Sequence, residues 1–348
     1  MRIIVDAMGG DHAPEAVVDG AVRAARAYGV DITLVGRQAD VARELAKHDT
    51  QGLNLDIVQA SEVVAMEEHT LAVKEKKDSS LVVGMRLLRQ GQGDAFASAG
   101  NSGAVMAAAL FNLGRIKGID RPALGSIYPA APNKCILLDI GANTDCKPEF
   151  LLQFAIMGTA YAERIFGVAN PRVGLVSNGE EADKGSMLVR DTYKIMQAAS
   201  QGDKPLLRFV GNVEGKDLAR GLADVVVTDG FTGNVMVKLT EGLVAFIFGL
   251  LKDELTGGWL NKLALLLLLP GLMLMLPGLL LLLPTIRRLA KRVSWREIGG
   301  APLLGVDGVV IIGHGRSDAR AIQSMIRQAK IAAEQGLVQR IKEGIGNG

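Results

Sequence analysis

The chain has 348 residues and is 49% hydrophobic but only 4% aromatic, so its core is aliphatic and large enough for one big domain or two fused ones. Its 39 basic and 37 acidic residues leave a net charge of +2, too balanced for a general nucleic-acid binder. Two cysteines, Cys135 and Cys146, are too few for a disulfide scaffold and fit a reducing cytoplasm.

In chain order, residues 2–6 read as a strand. The start shows no signal-peptide architecture, because an acidic residue and glycines follow the short apolar run. Asp6-Ala7-Met8-Gly9-Gly10-Asp11-His12-Ala13-Pro14 then leads into a helix over 14–27. Two glycines between strand and helix let backbone approach a ligand, often a phosphate, though without GxGxxG spacing. A tight turn capped by Asp11, with His12 as a turn hydrogen-bonder, explains the same residues. Pro14 suits a first-turn position.

Residues 32–35, 55–58 and 95–98 read as further strands, and 79–90 as a helix. The last strand runs into Ser98-Ala99-Gly100-Asn101-Ser102-Gly103-Ala104 and a helix over 102–113. Exposed N–H groups, the Ser102 hydroxyl and the Asn101 amide suit an anion at a helix N-terminus. Helix capping by Asn101 or Ser102 is the plainer alternative.

The strand 135–139 continues through Asp139-Ile140-Gly141-Ala142-Asn143-Thr144-Asp145-Cys146-Lys147-Pro148 into a helix over 148–166. No nearby histidine stands ready to activate Cys146, so that thiol reads as incidental. The strand 172–176 leads into Ser177-Asn178-Gly179-Glu180-Glu181-Ala182-Asp183-Lys184-Gly185 and a helix over 186–199. A lysine among acids is usually a solvated ion pair, but in a glycine-bounded loop past a strand it also fits a compact cation for phosphate. Strands over 207–210 and 225–227 follow. The second opens Thr228-Asp229-Gly230-Phe231-Thr232-Gly233-Asn234 and a helix over 233–251. An Asp-Gly turn with a capped helix accounts for that loop too.

The segment 263–283 is almost wholly Leu and Met, broken by Pro270-Gly271 and Pro277-Gly278 and followed by Arg287, Arg288, Lys291, Arg292 and Arg296. Its length approaches the ~20 residues of a spanning helix. The Pro-Gly pairs argue instead for a hairpin or broken helix dipping into one leaflet. Leu265, Leu268, Leu272, Met275 and Leu280 would meet lipid there. Arg287 and Arg288 would meet anionic headgroups, at about 1 kcal/mol per charge. A buried or dimer element and a true span are the alternatives. The last strand covers 309–312.

This alternation predicts an α/β fold with a doubly wound, mostly parallel sheet. It forms a single domain over 1–348, with the apolar and basic segment 252–298 inside it. Parallel strands would gather the five polar loops at one edge of the sheet.

Taken together and in order, the loops resemble those of the bacterial phosphate acyltransferases of the PlsX family. Asp6-Ala7-Met8-Gly9-Gly10-Asp11, Ser98 to Ala104, Asp139-Ile140-Gly141-Ala142-Asn143, Glu180-Glu181 with Lys184-Gly185, and Thr228 to Asn234 carry the resemblance over almost the whole chain. It implies a fold like phosphotransacetylase and the isocitrate dehydrogenase group, a homodimer, and an apolar helical hairpin that touches the membrane. It also implies transfer of a fatty acyl group from acyl carrier protein to inorganic phosphate. The acyl phosphate would feed glycerol 3-phosphate acylation, with direct handover to the downstream membrane acyltransferase. No cofactor, metal or nucleic acid is expected. A cytoplasmic enzyme, peripheral on the inner face of the cell membrane, is the expectation.

The chemistry fits. Phosphate is a nucleophile near neutral pH and a thiolate leaves readily, so no triad or acyl-enzyme is required, and the sequence has no GxSxG elbow or zinc-ligand cluster. Placement and oxyanion donors are what the reaction needs. Lys184 with Gly100, Asn101, Ser102 and Gly103 would hold phosphate, with Gly9, Gly10, Asp11, His12 and Asn178 alongside. Asn234 and Asn143 would orient the thioester carbonyl or its oxyanion. Asp229 would position one of these groups or accept a proton from phosphate. A metal-dependent oxidoreductase, a coenzyme A phosphotransacetylase and a non-catalytic membrane scaffold are the rival readings.

Overall fold

The computed structural model describes residues 1–130, 134–258, 261, 263, 267–268, 271, 275, 277–278, 280–285 and 299–346. The chain divides into a larger unit, Met1–Gly233 with Trp295–Gly348, and a smaller one, Asn234–Ser294.

The larger unit alternates strands and helices as the sequence pattern dictates. Its first half comprises β1 (Arg2–Asp6), α1 (Glu15–Tyr28), β2 (Asp31–Gly36), α2 (Gln38–Leu45), β3 (Leu55–Gln59), α3 (Ala72–Glu75), α4 (Ser80–Arg89), β4 (Ala95–Ser98) and α5 (Ser102–Asn112). There follow β5 (Ala123–Pro129), β6 (Lys134–Leu138), α6 (Pro148–Tyr161), β7 (Arg172–Val176), α7 (Met187–Ala199), β8 (Arg208–Val213), β9 (Val225–Val227) and the start of α8 (Gly230–Thr256). The chain ends with β10 (Ala301–Leu304), β11 (Val310–Ile312), α9 (Ala319–Glu334) and α10 (Leu337–Gly346). The last turn of the helix expected over 148–166 is a π-helical turn, Ala162–Phe166. Pro14 stands at the N-cap position just outside α1, not in its first turn, and makes no side-chain cap bond.

The strands form one 11-stranded sheet in the order β3-β2-β1-β4-β11-β10-β5-β6-β9-β7-β8. Period-2 alternation puts Ile3 and Val5 of β1 into the cluster on one face and Ile4 into that on the other, as expected where helices cover both faces. Ala95 and Ala97 divide from Phe96 in the same way.

The fold is α/β and mostly parallel, but the sheet changes direction partway. β1, β2, β3, β4 and β11 are parallel to one another, and so are β6, β7, β8 and β9. Between them, β11–β10, β10–β5 and β5–β6 are antiparallel. An odd number of antiparallel steps reverses the second half, so β1 and β4 run opposite to β6, β7 and β9. The five loops therefore form two groups, which corrects the expectation of a single edge.

β5 and β10 do not stand out in the sequence because each carries a proline, which usually demotes a strand. Pro302 pairs with Ile311 on β11, whereas β10 meets β5 only through Leu303 and Leu304. Its missing N–H thus falls beyond the β5 pairing.

Arg172 ties the start of β7 to the residue before β9. Its Nε and Nη2 donate to the Asp224 carboxylate at 3.0 Å each, and its backbone N–H adds a bond of 2.9 Å. Burial pushes the Asp224 carboxyl up, but the Arg172 bonds outweigh it and hold the group below its usual range. A depressed folded pKa gives stability that is present above the unfolded value of about 3.9 and lost as pH falls through the folded one. Arg172→Ala should cost about 2 kcal/mol at neutral pH. In urea denaturation the gap from wild type should shrink between pH 7 and pH 3. A gap that stays constant would contradict this account.

In the smaller unit, α8 exposes a row of large apolar side chains, among them Leu239, Leu243, Phe246 and Phe248. Over Gly230–Glu254 its mean hydropathy reaches 1.6, so by length and composition it is able to cross a membrane. This apolar surface begins upstream of the expected contact segment 252–298. Among the expected lipid contacts, Leu268, Met275 and Leu280 are helical and exposed. Leu265, Leu272, Arg287 and Arg288 lie outside the described residues.

Candidate active site

The first loop group is built on β1 and β4. Asp6, 1% exposed, accepts a hydrogen bond from Ser98 Oγ (2.7 Å) and one from the Met8 N–H (3.1 Å). Ser98 Oγ in turn accepts from the Gly100 N–H at 3.0 Å. Burial pushes the Asp6 carboxyl above its usual range, against the hydrogen bonds from Ser80 and Ser98. Gly9 is required here, because a Cβ on it would lie 2.3 Å from Asp6 Oδ2 and 2.7 Å from the Gly100 nitrogen.

The sequence reading missed a third contributor. The turn after β11, Gly313-His314-Gly315-Arg316, joins this group where the Asp11 N–H donates to the Gly315 carbonyl at 2.8 Å. Its signal was present: a glycine-bounded histidine just past an apolar strand. Asn101 caps α5 through the Ala104 N–H (3.1 Å), and its Nδ2 donates to the carbonyls of Met66 (2.9 Å) and Glu68 (3.0 Å). Its amide therefore straps the 66–68 segment over the loop, where the sequence suggested an anion contact. Ser102 and His12 are exposed on the same group, with Gly10 and Gly103 part-buried beside them.

The second group is organised by Asp139, another residue absent from the expected site. It is fully buried at the end of β6. Its carboxylate accepts from the N–H groups of Leu124 (3.0 Å), Gly141 (3.3 Å), Ala142 (3.1 Å) and Asn143 (2.7 Å). It also accepts from Asn143 Nδ2 at 2.9 Å. Burial raises its pKa and these bonds oppose the rise. The Asn143 amide donates as well to the Pro122 carbonyl at 2.8 Å, so both its N–H groups are taken and it does not serve as the oxyanion donor the sequence suggested.

The Asn143 carbonyl receives the Gly230 N–H at 2.7 Å, fixing the start of α8. A Cβ on Gly233 would lie 1.9 Å from the Asp139 carbonyl oxygen, so both glycines of that loop serve close packing. Asp229 accepts from the Thr232 N–H (2.9 Å) and Oγ1 (2.7 Å) and so caps α8. Asn234 follows on α8 as part of the smaller unit. Cys146 donates its thiol to the Asn143 carbonyl at 3.4 Å, and burial pushes its pKa up to about 11, which keeps it a thiol.

Lys184 and Asn178 are exposed on the loop after β7. The lysine stem passes over Gly179, whose added Cβ would lie 2.8 Å from Lys184 Cγ. The Lys184 N–H donates to the Glu181 carbonyl at 3.2 Å, and the same carbonyl takes Asn212 Nδ2 at 2.7 Å. Asn212, 7% exposed on β8, thus supports the loop from a neighbouring strand. Nothing in the local sequence pattern marked it. The first group offers a helix N-terminus and the second the exposed Lys184, features of each that suit anions.

A family model described as fatty acid synthesis protein matches residues 1–340. A protein from Herpetosiphon aurantiacus named phosphate acyltransferase is 48% identical, with 99% of this chain and 98% of that protein aligned. One of the same name from Pelotomaculum thermopropionicum is 45% identical, over 99% and 95%. In fold, a phosphotransacetylase from Streptococcus pyogenes superposes with a TM-score of 0.64 at 16% identity, covering 96% of this chain and 94% of that one. A branched-chain phosphotransacylase from Enterococcus faecalis gives 0.57 at 15%, over 96% and 99%.

Proposed function

We propose a reaction for this chain from one premise: it belongs to the fatty acid synthesis protein family, with phosphate acyltransferases among its relatives, and it is an acyltransferase that uses phosphate. Its donor is a long-chain fatty acyl thioester on acyl carrier protein, and its product is an acyl phosphate for phosphatidic acid synthesis. The match along the whole chain, with every polar loop inside it, carries this reading.

A phosphate oxygen attacks the thioester carbonyl carbon. The tetrahedral oxyanion collapses, the C–S bond breaks and the carrier leaves as thiolate, with no acyl-enzyme. Lys184 neutralises the attacking phosphate. The α5 N-terminus, with Gly100 and Gly103, belongs to the other loop group at the opposite edge of the sheet and takes no part in holding this phosphate. With the Asn143 amide nitrogen committed to Asp139 and Pro122, Asn143 shapes its loop and the Asn234 amide is the donor to the thioester carbonyl. Asp229 acts through the start of α8 as a positioning residue, the role its cap to Thr232 favours.

The test is acyl phosphate formation from purified protein, palmitoyl-acyl carrier protein and inorganic phosphate, with palmitoyl-coenzyme A alongside. Turnover with the carrier-protein donor is the expected result. Turnover with coenzyme A alone would assign the donor to coenzyme A, and silence with both in folded protein would overturn the reaction.

The enzyme works as a homodimer in the cytoplasm, peripherally bound to the membrane through its exposed apolar helices, and hands its product to the downstream acyltransferase there. Leu267, 72% exposed, and Leu281, 82% exposed, are side chains whose burial in lipid is worth about 1.5–3 kcal/mol each. Leu267→Glu with Leu281→Glu should weaken binding to anionic vesicles at least about tenfold. Unchanged vesicle binding would remove the membrane role.

A further inference from the structure

A cavity of about 630 Å³ opens on the larger unit between the end of α5, the 115–122 loop and the start of α6. No residue of it figures in the chemistry above. Its size falls within the range of about 300–1,000 Å³ usual for organic ligands, and orthophosphate alone would leave most of it empty. Arg115, Arg121 and Lys147 bring three cations to its wall, and Asp120 and Glu149 bring two carboxylates. The lining is thus net +1 by this count, matched to a singly charged anion rather than a polyphosphate. Lys147 is the cap residue of α6 and makes no side-chain cap bond, so its ammonium group stands at the positive end of that helix. Leu110 and Phe150 supply an apolar wall, with the Arg121 guanidinium 5.9 Å from the Phe150 ring centre.

The cavity is joined to the reacting loop. Pro122 lines it and also accepts the Asn143 amide at 2.8 Å. Lys147 ends the loop that Asp139 begins. The cavity therefore borders the Asp139–Asn143 loop.

We propose that this cavity receives the phosphodiester end of the pantetheine arm that carries the acyl thioester, with Arg121 and Lys147 on the phosphodiester and Phe150 beside the arm. This rests on the carrier-protein reading above. A carrier-linked arm presents one phosphodiester charge, whereas coenzyme A brings a diphosphate and a further phosphate that this lining matches less well.

The experiment compares three donors in wild type and in Arg121→Glu/Lys147→Glu: acyl carrier protein thioester, acyl-pantetheine methyl phosphodiester, and acyl-pantetheine without phosphate. Both substituted side chains are exposed, so folding should survive, and circular dichroism checks it. Wild type should prefer the phosphodiester over the phosphate-free donor about tenfold in kcat/KM, the size of one charge-assisted contact. The double variant should lose that preference, while the KM for orthophosphate stays where it was. A wild type without the preference, or a variant that keeps it, overturns the proposal. A variant impaired only with the intact carrier protein overturns it too and makes the cavity part of a protein docking surface. A wild type inert with all three donors would instead refute the acyl-transfer reading itself.

Discussion

Lys184→Ala should lower turnover at least about a hundredfold and leave the fold intact. The side chain is exposed on the loop after β7, so its loss empties no core. The backbone of the loop is held independently, by the Lys184 N–H on the Glu181 carbonyl and by Asn212 on the same oxygen. On the proposed role, what disappears is the ammonium group that neutralises phosphate. Removing one preorganised electrostatic partner of a transition state costs about a hundredfold to a thousandfold in kcat. Glu180, Glu181 and Asp183 flank the lysine, so its removal makes an already acidic loop more negative and more repulsive to phosphate. The KM for phosphate should therefore rise as kcat falls, and Lys184→Arg should recover only part of the loss, because a planar fork differs in reach and geometry from a point charge. Steady-state kinetics with urea denaturation as the folding control decides the matter. Wild-type kinetics in a folded variant would remove Lys184 from the site.

Asp139→Ala should destabilise the protein by about 4 kcal/mol or prevent folding. The carboxylate is the acceptor for four backbone N–H groups and the Asn143 amide. A buried donor left without a partner costs about 1–3 kcal/mol, and Gly141 is the one of the four donor residues exposed enough for water to replace the bond freely. Against a total stability of about 5–15 kcal/mol, that loss is large. Asp139→Asn should fall between, because its oxygen keeps the bonds to Leu124 and Ala142 while its NH2 faces the two Asn143 donors. Urea denaturation of both variants measures this. A stability within about 1 kcal/mol of wild type for Asp139→Ala would show that water replaces the whole set.

Much of the molecule is written locally. Apolar runs and turn residues gave β1, β4, β7 and β9 with their observed bounds, since a continuous apolar run bounded by polar or turn residues is a short-range property. The alternation of strand-like and helical runs announced an α/β protein, and the order of the polar loops announced the family. Local chemistry also foresaw the capping by Asn101 as an alternative to anion binding.

Tertiary structure alone decided the rest, because it depends on contacts distant in sequence. No residue of β5 or β10 declares that three antiparallel pairings will reverse half the sheet, and that reversal splits the polar loops into two groups. Asp139 reads as one more polar loop residue until β5 and the Asn143 turn bring their N–H groups to it. Asn212 gains its role only because β8 lies beside β7. Sequence fixes which groups can do chemistry. Strand direction and pairing fix which of them meet, because a hydrogen bond or a steric contact depends on distance in space and not on separation along the chain.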